Sequence, residues 1–151
     1  MPETTIFIGC SSAAKSQAKA VVKAFAGPTL KFLPWWEAFT AGRTLLEDLD
    51  NVRQRVHGAL LLFTPESTTT IRRKKNAVPN LNVVFELGYF YGHFGKQKVA
   101  MLKYGDFYLP SDLGGYIHIF GSRYFQRSAV VKVGQRTTTE FARWIAQLPA
   151  S

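Results

Sequence analysis

The sequence contains little cysteine, few acidic residues and no long hydrophobic run. Cys10 is the only cysteine among 151 residues, which excludes a disulfide framework and a zinc site built from several thiolates. No apolar run approaches the length of a transmembrane helix, and the N-terminus lacks the layout of a signal peptide. We therefore expect a protein of the cytoplasm, with no membrane segment in this chain.

The shortage of acidic residues leaves the chain strongly basic. Ten aspartates and glutamates stand against 19 lysines and arginines, and the formal net charge of +9 favours anionic partners such as nucleotides, polynucleotides or acidic surfaces. Hydrophobic residues make up 46% of the chain and charged residues 19%, values typical of a folded globular protein. We expect residues 1–151 to form a single domain, a candidate for excision from a longer protein because the chain ends soon after its last predicted helix.

Short apolar runs alternate with amphipathic stretches along the chain, which indicates alternating strands and helices. Strands are predicted at residues 4–8, 30–33, 59–63, 99–103 and 117–120, and helices at 13–25, 44–56, 79–94 and 137–148. Loops are predicted at 34–42, 64–78 and 104–115, and the stretch 122–134 is unassigned apart from a candidate edge strand at 129–133. This order predicts a parallel sheet with helices on both faces, in which ligands bind outside the carboxyl ends of the strands.

The predicted helix at residues 79–94 is almost entirely apolar and contains a single acid, Glu86. Two apolar stripes recur on it at helical spacing: Val83, Leu87, Phe90 and Phe94 form the first, and Val84, Gly88 and Tyr91 the second. Both stripes are predicted to be buried, so that most of this helix faces protein. Glu86 lies off both stripes, so its carboxyl group is predicted to face apolar walls, which raise a carboxyl pKa and favour chemistry. A structural acid near the positive end of the helix dipole is the alternative, and the helix by itself favours that interpretation.

A turn of small residues, Gly9-Cys10-Ser11-Ser12, joins the first predicted strand to the first predicted helix. Such a turn can bind an anion with its backbone N–H groups, or it can be an ordinary connection in which a serine caps the helix. Cys10 is better explained as a small residue at the end of a strand than as a nucleophile, because no histidine is indicated beside it.

The predicted loop at residues 34–42 is loaded with aromatic side chains, among them Trp35, Trp36 and Phe39. Loops normally avoid large apolar groups. These rings therefore either fold back onto the core or face a ligand or partner, and the sequence favours neither.

Four consecutive basic residues at 72–75 lie in the predicted polar loop 64–78. A run of this kind can bind phosphates. It lacks the interleaved aromatic residues on which bases stack, so a solvated loop is the better interpretation and nucleic acid is not an expected partner.

Four segments, in this order, resemble the predicted nucleotide-binding TIR-like domains of bacteria. They are residues 6–12 (IFIGCSS), Pro34-Trp35 followed by Ala38-Phe39, residues 82–88 (NVVFELG) followed by Phe90, and residues 109–114 (LPSDLG). The resemblance covers roughly residues 4–120. TIR domains of this type serve as effectors in cyclic-nucleotide-triggered antiphage defence, sometimes fused to a STING domain.

The resemblance implies a flavodoxin-like three-layer α/β sandwich, the TIR fold, with a five-stranded, mainly parallel sheet, and NAD⁺ glycohydrolase activity. The family's catalytic glutamate corresponds to Glu86. Its substrate-binding positions correspond to Gly9, Cys10, Ser11, Ser12, Trp35, Phe39, Asn82 and Asp112. No metal and no cofactor are implied, since NAD⁺ is the substrate. Implied partners are NAD⁺, other copies of the chain in oligomers or filaments that form on activation, and a cyclic-nucleotide sensor domain outside this chain.

The chain departs from the family pattern at two places beside the substrate. Asn80-Leu81 stands where the family has an arginine and an aspartate, and Cys10 stands where it has a serine. Two other functions therefore stay open. One is a non-catalytic module that acts by self-association. The other is an enzyme similar to nucleoside deoxyribosyltransferases, which also direct a glutamate at a ribose-like carbon.

Overall fold

Five parallel strands form the central sheet of the computed structural model, which describes residues 3–109, 117–123, 125 and 131–148. Two further strands form a separate hairpin. In chain order all the strands of the described residues are β1 (Thr4–Gly9), β2 (Leu30–Pro34), β3 (Gly58–Phe63), β4 (Ser67–Ile71), β5 (Lys74–Val78), β6 (Val99–Lys103) and β7 (Ile117–Phe120). The sheet has the order β2-β1-β3-β6-β7, and each neighbouring pair is parallel. The predicted α/β fold with a five-stranded sheet is therefore confirmed.

Helices cover both faces of this sheet. In chain order they are α1 (Lys15–Phe25), α2 (Trp35–Ala38), α3 (Leu45–Val52), α4 (Leu81–Phe94) and α5 (Gln135–Gln147), with 3-10 turns at Ser12–Ala14 and Lys96–Lys98. Buried residues of α1 and α5 share one apolar cluster with the sheet, and those of α3 and α4 share the other. The sheet therefore lies between two layers of helices, with an apolar core on each of its faces. This is the predicted three-layer arrangement.

Local sequence explains where the central elements lie. All six residues of β3 are buried, because this strand sits in the middle of the sheet and both of its faces meet helices. Helix α3 begins with a capping box, in which the Thr44 hydroxyl accepts from the backbone N–H of Glu47 at 3.2 Å and the Glu47 carboxylate accepts from that of Thr44 at 3.0 Å. It ends at Val52, four residues before the predicted end at Val56.

The prediction of a loop at residues 64–78 was wrong. Strands β4 and β5 form an antiparallel hairpin there, with Ser67 opposite Val78 and Ile71 opposite Lys74. The two-residue turn consists of Arg72 and Arg73, whose φ angles of 50° and 66° are those of a type I′ turn. Such turns are usually marked by asparagine and glycine, and two arginines give no such signal in the sequence.

The prediction that helix α4 buries two apolar stripes was half right. Val83, Leu87 and Phe90 of the first stripe are buried. In the second stripe Gly88 and Tyr91 are exposed. The helix therefore packs by one face only, and Glu86 lies on that buried face rather than beside it. A helix with apolar residues on nearly every side does not reveal which face it buries.

Asp112, in the second half of the predicted loop 104–115, lies outside the described residues. Of the candidate edge strand at 129–133, residues 129 and 130 also lie outside them, and the described residues 131–133 are not in a strand. Within the described ranges, no helix combines the length and the apolar character needed to cross a membrane.

Candidate active site

A pocket of about 340 Å³ lies where the turn after β1, the start of α2 and the first turns of α4 meet. Its lining residues are Cys10, Ser11, Ser12, Trp35, Phe39, Leu45, Asn80, Asn82, Val83 and Glu86. The turn and α2 follow the carboxyl ends of two neighbouring parallel strands, β1 and β2. The pocket therefore occupies the edge of the sheet that the predicted topology assigned to ligands.

Glu86 is the acidic residue of the pocket lining. Its side chain is buried among the apolar residues of α4 and is only 4% exposed. Its Oε2 atom has no hydrogen-bond partner among the described residues. Burial raises the pKa of this carboxyl from 4.5 to about 8, as the sequence predicted in direction. A buried carboxyl group with an unpaired oxygen at a pocket wall is poised to interact with a bound ligand.

Gly9 makes room for the Glu86 carboxyl group. A Cβ atom at position 9 would lie 2.6 Å from Oε2 of Glu86 and 2.7 Å from Cδ1 of Leu61, closer than real Cβ atoms approach other atoms. Gly9 thus sits directly beside the acid rather than in the lining itself. The glycine is needed here for close approach of a side chain, not for an unusual backbone angle.

Cys10 has the properties of a neutral packing residue. It is buried, and burial raises the pKa of its thiol to about 12, while a hydrogen bond from Trp35 opposes that rise. The indole Nε1–H of Trp35 donates to the sulfur at 3.3 Å. A thiol that stays protonated is a poor nucleophile, which supports the interpretation of Cys10 as a small residue at the end of β1.

Ser11 is tied to a carboxylate that sequence reasoning missed. Its hydroxyl donates a hydrogen bond to Oε1 of Glu66, and the buried Thr64 hydroxyl donates to the same oxygen at 2.7 Å. Thr64 and Glu66 closely follow β3, so they lie at the carboxyl end of the strand next to β1. The sequence does show that both residues follow a buried apolar strand, but the predicted polar loop at 64–78 assigns them no role in a site.

The aromatic loop both packs on the core and faces the pocket. Trp35 and Phe39 line the pocket, with ring centroids 6.3 Å apart, and Phe39 also stacks on the buried Phe7 at 5.8 Å. Trp36 is not in the lining and packs against the cluster under α1 and α5. The Lys15 ammonium lies 5.5 Å from the centroid of the Trp35 ring and 5.3 Å from that of Trp36.

The start of α4 contributes two asparagines to the pocket. Asn80 is the N-cap, and its Oδ1 accepts from the backbone N–H of Asn82 at 2.9 Å and of Val83 at 3.4 Å. Asn82 was a predicted site residue, whereas Asn80 was noted only as a departure from the family pattern. Leu81, between them, is 79% exposed and is not part of the lining.

Most of the residues predicted from the sequence come together in this pocket. Those in the lining are Cys10, Ser11, Ser12, Trp35, Phe39, Asn82 and Glu86. Gly9 lies next to the Glu86 carboxyl group but is not part of the lining. Asp112 lies outside the described residues. Within the part of the chain that the structure describes, no group of histidine, cysteine and acidic side chains is arranged to hold a metal ion.

Comparison with known proteins relates the chain to bacterial effectors. The family model described as CAP12/Pycsar effector protein, TIR domain, matches residues 5–121. CD-NTase-associated protein 12 of Sphingobacterium faecium is 32% identical over 110 residues, which cover 73% of this chain and 34% of that protein. Pycsar effector protein PaPycTIR of Pseudomonas aeruginosa is 32% identical over 113 residues, which cover 73% of this chain and 37% of that protein.

A relative also occurs outside bacteria. Protein tirC of Dictyostelium discoideum is 33% identical over 90 residues, which cover 52% of this chain and 45% of that protein. The match to this chain covers about a third of each of the two bacterial effectors, 34% and 37% of their lengths. Most of each effector is therefore unmatched.

Proposed function

The chain belongs to the TIR-domain family of CAP12 and Pycsar effector proteins, and on that premise we propose that it is a TIR-type NAD⁺ glycohydrolase. It would cleave the bond between nicotinamide and ribose and release nicotinamide and ADP-ribose, or a cyclic form of ADP-ribose. The observation that carries the proposal is the buried carboxyl group of Glu86 in the pocket lining, whose Oε2 has no hydrogen-bond partner among the described residues. A single acidic residue is sufficient for this reaction, because the leaving group needs little acid catalysis.

The reaction needs little acid catalysis, because nicotinamide leaves as a neutral molecule. When the bond between C1′ and the ring nitrogen breaks, its electron pair goes to the nitrogen and cancels the pyridinium charge. Positive charge then develops at C1′, as in the oxocarbenium-like transition state of glycoside hydrolysis. The Glu86 carboxylate would stabilise that cation, and water would add to C1′ and pass its proton to the carboxylate.

The electrostatics of the pocket suit a cationic substrate. With a pKa of about 8, Glu86 is mainly protonated at neutral pH in the ligand-free protein. A bound nicotinamide ring carries a positive charge, which favours the ionised carboxylate. Binding of NAD⁺ would therefore generate the catalytic anion, and Trp35 or Phe39 would offer a ring on which nicotinamide or adenine stacks.

The family suggests a setting for this activity. Relatives are named as CD-NTase-associated and Pycsar effector proteins, and this chain covers only about a third of them, 34% and 37%. We infer that the domain is an effector of antiphage defence, activated by a cyclic nucleotide through a sensor in another part of a longer protein. Activation would act through self-association into oligomers or filaments.

A non-catalytic self-association module is the second candidate. Helix α4 carries three exposed apolar side chains, Leu81 at 79%, Phe85 at 47% and Tyr91 at 39% exposure. Leu81 also replaces a charged residue of the family pattern beside the pocket. A protein that acts only as a scaffold would assemble with increasing concentration and consume no NAD⁺.

Nicotinamide release from NAD⁺ tests the proposal. The wild type is compared with Glu86→Gln, which keeps the size and polarity of the side chain but cannot become an anion. Glu37→Gln, which neutralises an exposed acid on α2, is the matched control. We expect release by the wild type and the control and roughly a hundredfold loss or more in Glu86→Gln, the order of magnitude for removing one stabilising group from an active site.

The assay is run at high protein concentration and with the domain forced to cluster, so that a missing activator does not hide the activity. Loss of NAD⁺ that continues in Glu86→Gln would contradict the assigned role. Assembly without nicotinamide release, in a folded and clustered wild type, would favour the scaffold. Transfer of deoxyribose between bases without cleavage of NAD⁺ would favour the enzyme similar to deoxyribosyltransferases.

A further inference from the structure

The pocket lining contains hydrogen-bond acceptors, among them Ser11 and Glu86, but no positively charged side chain. None of its lining residues is a lysine or an arginine, in a chain of net charge +9. The one proton of the Ser11 hydroxyl is committed to Glu66, so Ser11 presents only lone pairs to a ligand. Together with the Glu86 carboxyl group, these acceptors favour a ligand part that is cationic or rich in hydrogen-bond donors, such as a pyridinium ring and a ribose.

A ligand that also carries a diphosphate needs a cation elsewhere. Lys15 lies at the start of α1, and its ammonium group sits over the rings of Trp35 and Trp36, at 5.5 Å and 5.3 Å from their centroids. Trp35 is itself part of the pocket lining. The charge of Lys15 also reaches the Cys10 thiol, where it opposes the rise in pKa that burial causes. Lys15 thus lies beside a ring that lines the pocket.

Lys15 is available to a ligand. The ion pairs within the described residues join Lys31 to Glu3, Arg53 to Asp50 and Arg136 to Glu140, and none involves Lys15. The two tryptophans restrict its position, so less side-chain entropy is lost when it pairs with an anion. Lys15 is partly buried as a residue and has no carboxylate partner in these ion pairs, so its charge is available to a ligand.

Other cations of the chain are less well placed. Lys19, one turn further along α1, is exposed and lies only near Trp36, at 6.0 Å from the ring centroid. The basic residues at 72–75 surround the tip of the β4–β5 hairpin, and none of them lines the pocket. Lys15 is therefore the described cation that contacts a ring of the lining, and Lys19 is a matched control on the same helix.

We propose that Lys15 is a specificity-determining residue that pairs with the diphosphate of the ligand, while the nicotinamide ribose lies against Glu86. The inference rests on the proposed function. It makes the pocket selective for dinucleotides over nucleosides that lack phosphate. It would also supply a cation for a dianionic group at a pocket whose lining has no lysine or arginine.

The kinetic test compares two substrates that share the scissile bond, NAD⁺ and nicotinamide riboside, which has no phosphate. Lys15→Gln should raise KM for NAD⁺ about tenfold and leave kcat within about twofold, since one charge-assisted contact made equally in the ground and transition states is lost. Nicotinamide riboside should be cleaved with unchanged kcat/KM. Lys15→Arg should keep most of the affinity for NAD⁺, and Lys19→Gln should resemble the wild type.

A binding measurement separates this inference from the proposed function. Calorimetric titration with ADP-ribose, which is not a substrate for cleavage, should give about tenfold weaker binding to Lys15→Gln than to the wild type and Lys19→Gln. That result supports Lys15 even if NAD⁺ is never cleaved. Equal affinity of all three proteins, no binding of ADP-ribose to the wild type, or an equal loss of kcat/KM for both substrates in folded Lys15→Gln would overturn the inference.

Discussion

Glu86 makes the stability of the fold depend on pH, and Glu86→Gln should remove that dependence. Burial raises the pKa of the carboxyl from 4.5, its value in an unfolded chain, to about 8. Between these values the folded protein keeps a proton that the unfolded protein has released. The folded state then binds more protons, so the free energy of unfolding falls as the pH rises. The contribution of Glu86 is complete below pH 4.5 and is lost as the pH rises through about 8.

The size of the effect follows from the two pKa values. A tenfold change in proton affinity corresponds to about 1.4 kcal/mol, so the interval from 4.5 to about 8 allows an upper limit of roughly 5 kcal/mol. Because a folded protein relaxes around a buried anion, we expect about 3 to 5 kcal/mol. For a chain of this length, the loss corresponds to a fall in Tm of roughly 10 °C.

Urea unfolding at several pH values between about 5 and 9, followed through tryptophan fluorescence, measures the effect. Trp144 is 1% exposed and reports on the core. The gap in unfolding free energy between Glu86→Gln and the wild type should widen in favour of the variant as the pH rises. Glu37→Gln should follow the wild type within about 0.5 kcal/mol. Parallel curves for Glu86→Gln and the wild type would refute the reasoning, because they would mean that Glu86 is not buried in the folded protein.

Three further predictions concern the site and the hairpin. The kcat/KM for NAD⁺ should rise with pH up to about 8, the pKa of Glu86, because the proposed reaction uses the carboxylate; a profile already flat above about pH 6 would contradict this. Gly9→Ala should lower nicotinamide release roughly tenfold or more and cost about 1–3 kcal/mol in urea unfolding, since its Cβ would meet Oε2 of Glu86 at 2.6 Å; wild-type values in both assays would show that the acid moves freely. Arg72→Asn with Arg73→Gly should raise the unfolding free energy by about 1 kcal/mol without changing activity, because φ angles of 50° and 66° disfavour arginine; no gain would argue against the turn.

The position of Glu86 could be predicted from the sequence, but its exact surroundings could not. A lone acid among apolar residues on a helix predicts burial and a raised pKa, and both are confirmed. The choice between two apolar stripes could not be made, since helical periodicity does not say which face meets the sheet. Only tertiary packing decides that Gly88 and Tyr91 are exposed while Glu86 is buried.

The contact between Ser11 and Glu66 could not be predicted for a different reason. The two residues are 55 positions apart, and they meet because β1 and β3 are adjacent in the sheet. A strand order of β2-β1-β3-β6-β7 is a long-range property that alternation of strands and helices does not specify. The hairpin could not be predicted for a local reason. Its run of threonines resembles a polar loop, and its turn lacks the glycine and asparagine that usually mark a hairpin.

Trp35 contacts both the pocket residue Cys10 and Lys15. Its indole N–H donates to the Cys10 sulfur, and its ring centroid lies 5.5 Å from the Lys15 ammonium. No ion pair of the described residues joins Lys15 to Glu86, and such a pair would lower the pKa of the Glu86 carboxyl group. In the proposed reaction, a ligand with a pyridinium ring at one end and a diphosphate next to it would place an opposite charge near each group. The free energy that an ionised Glu86 costs the ligand-free protein would then be offset on binding, which would tie the pH dependence of stability to the proposed preference for a dinucleotide.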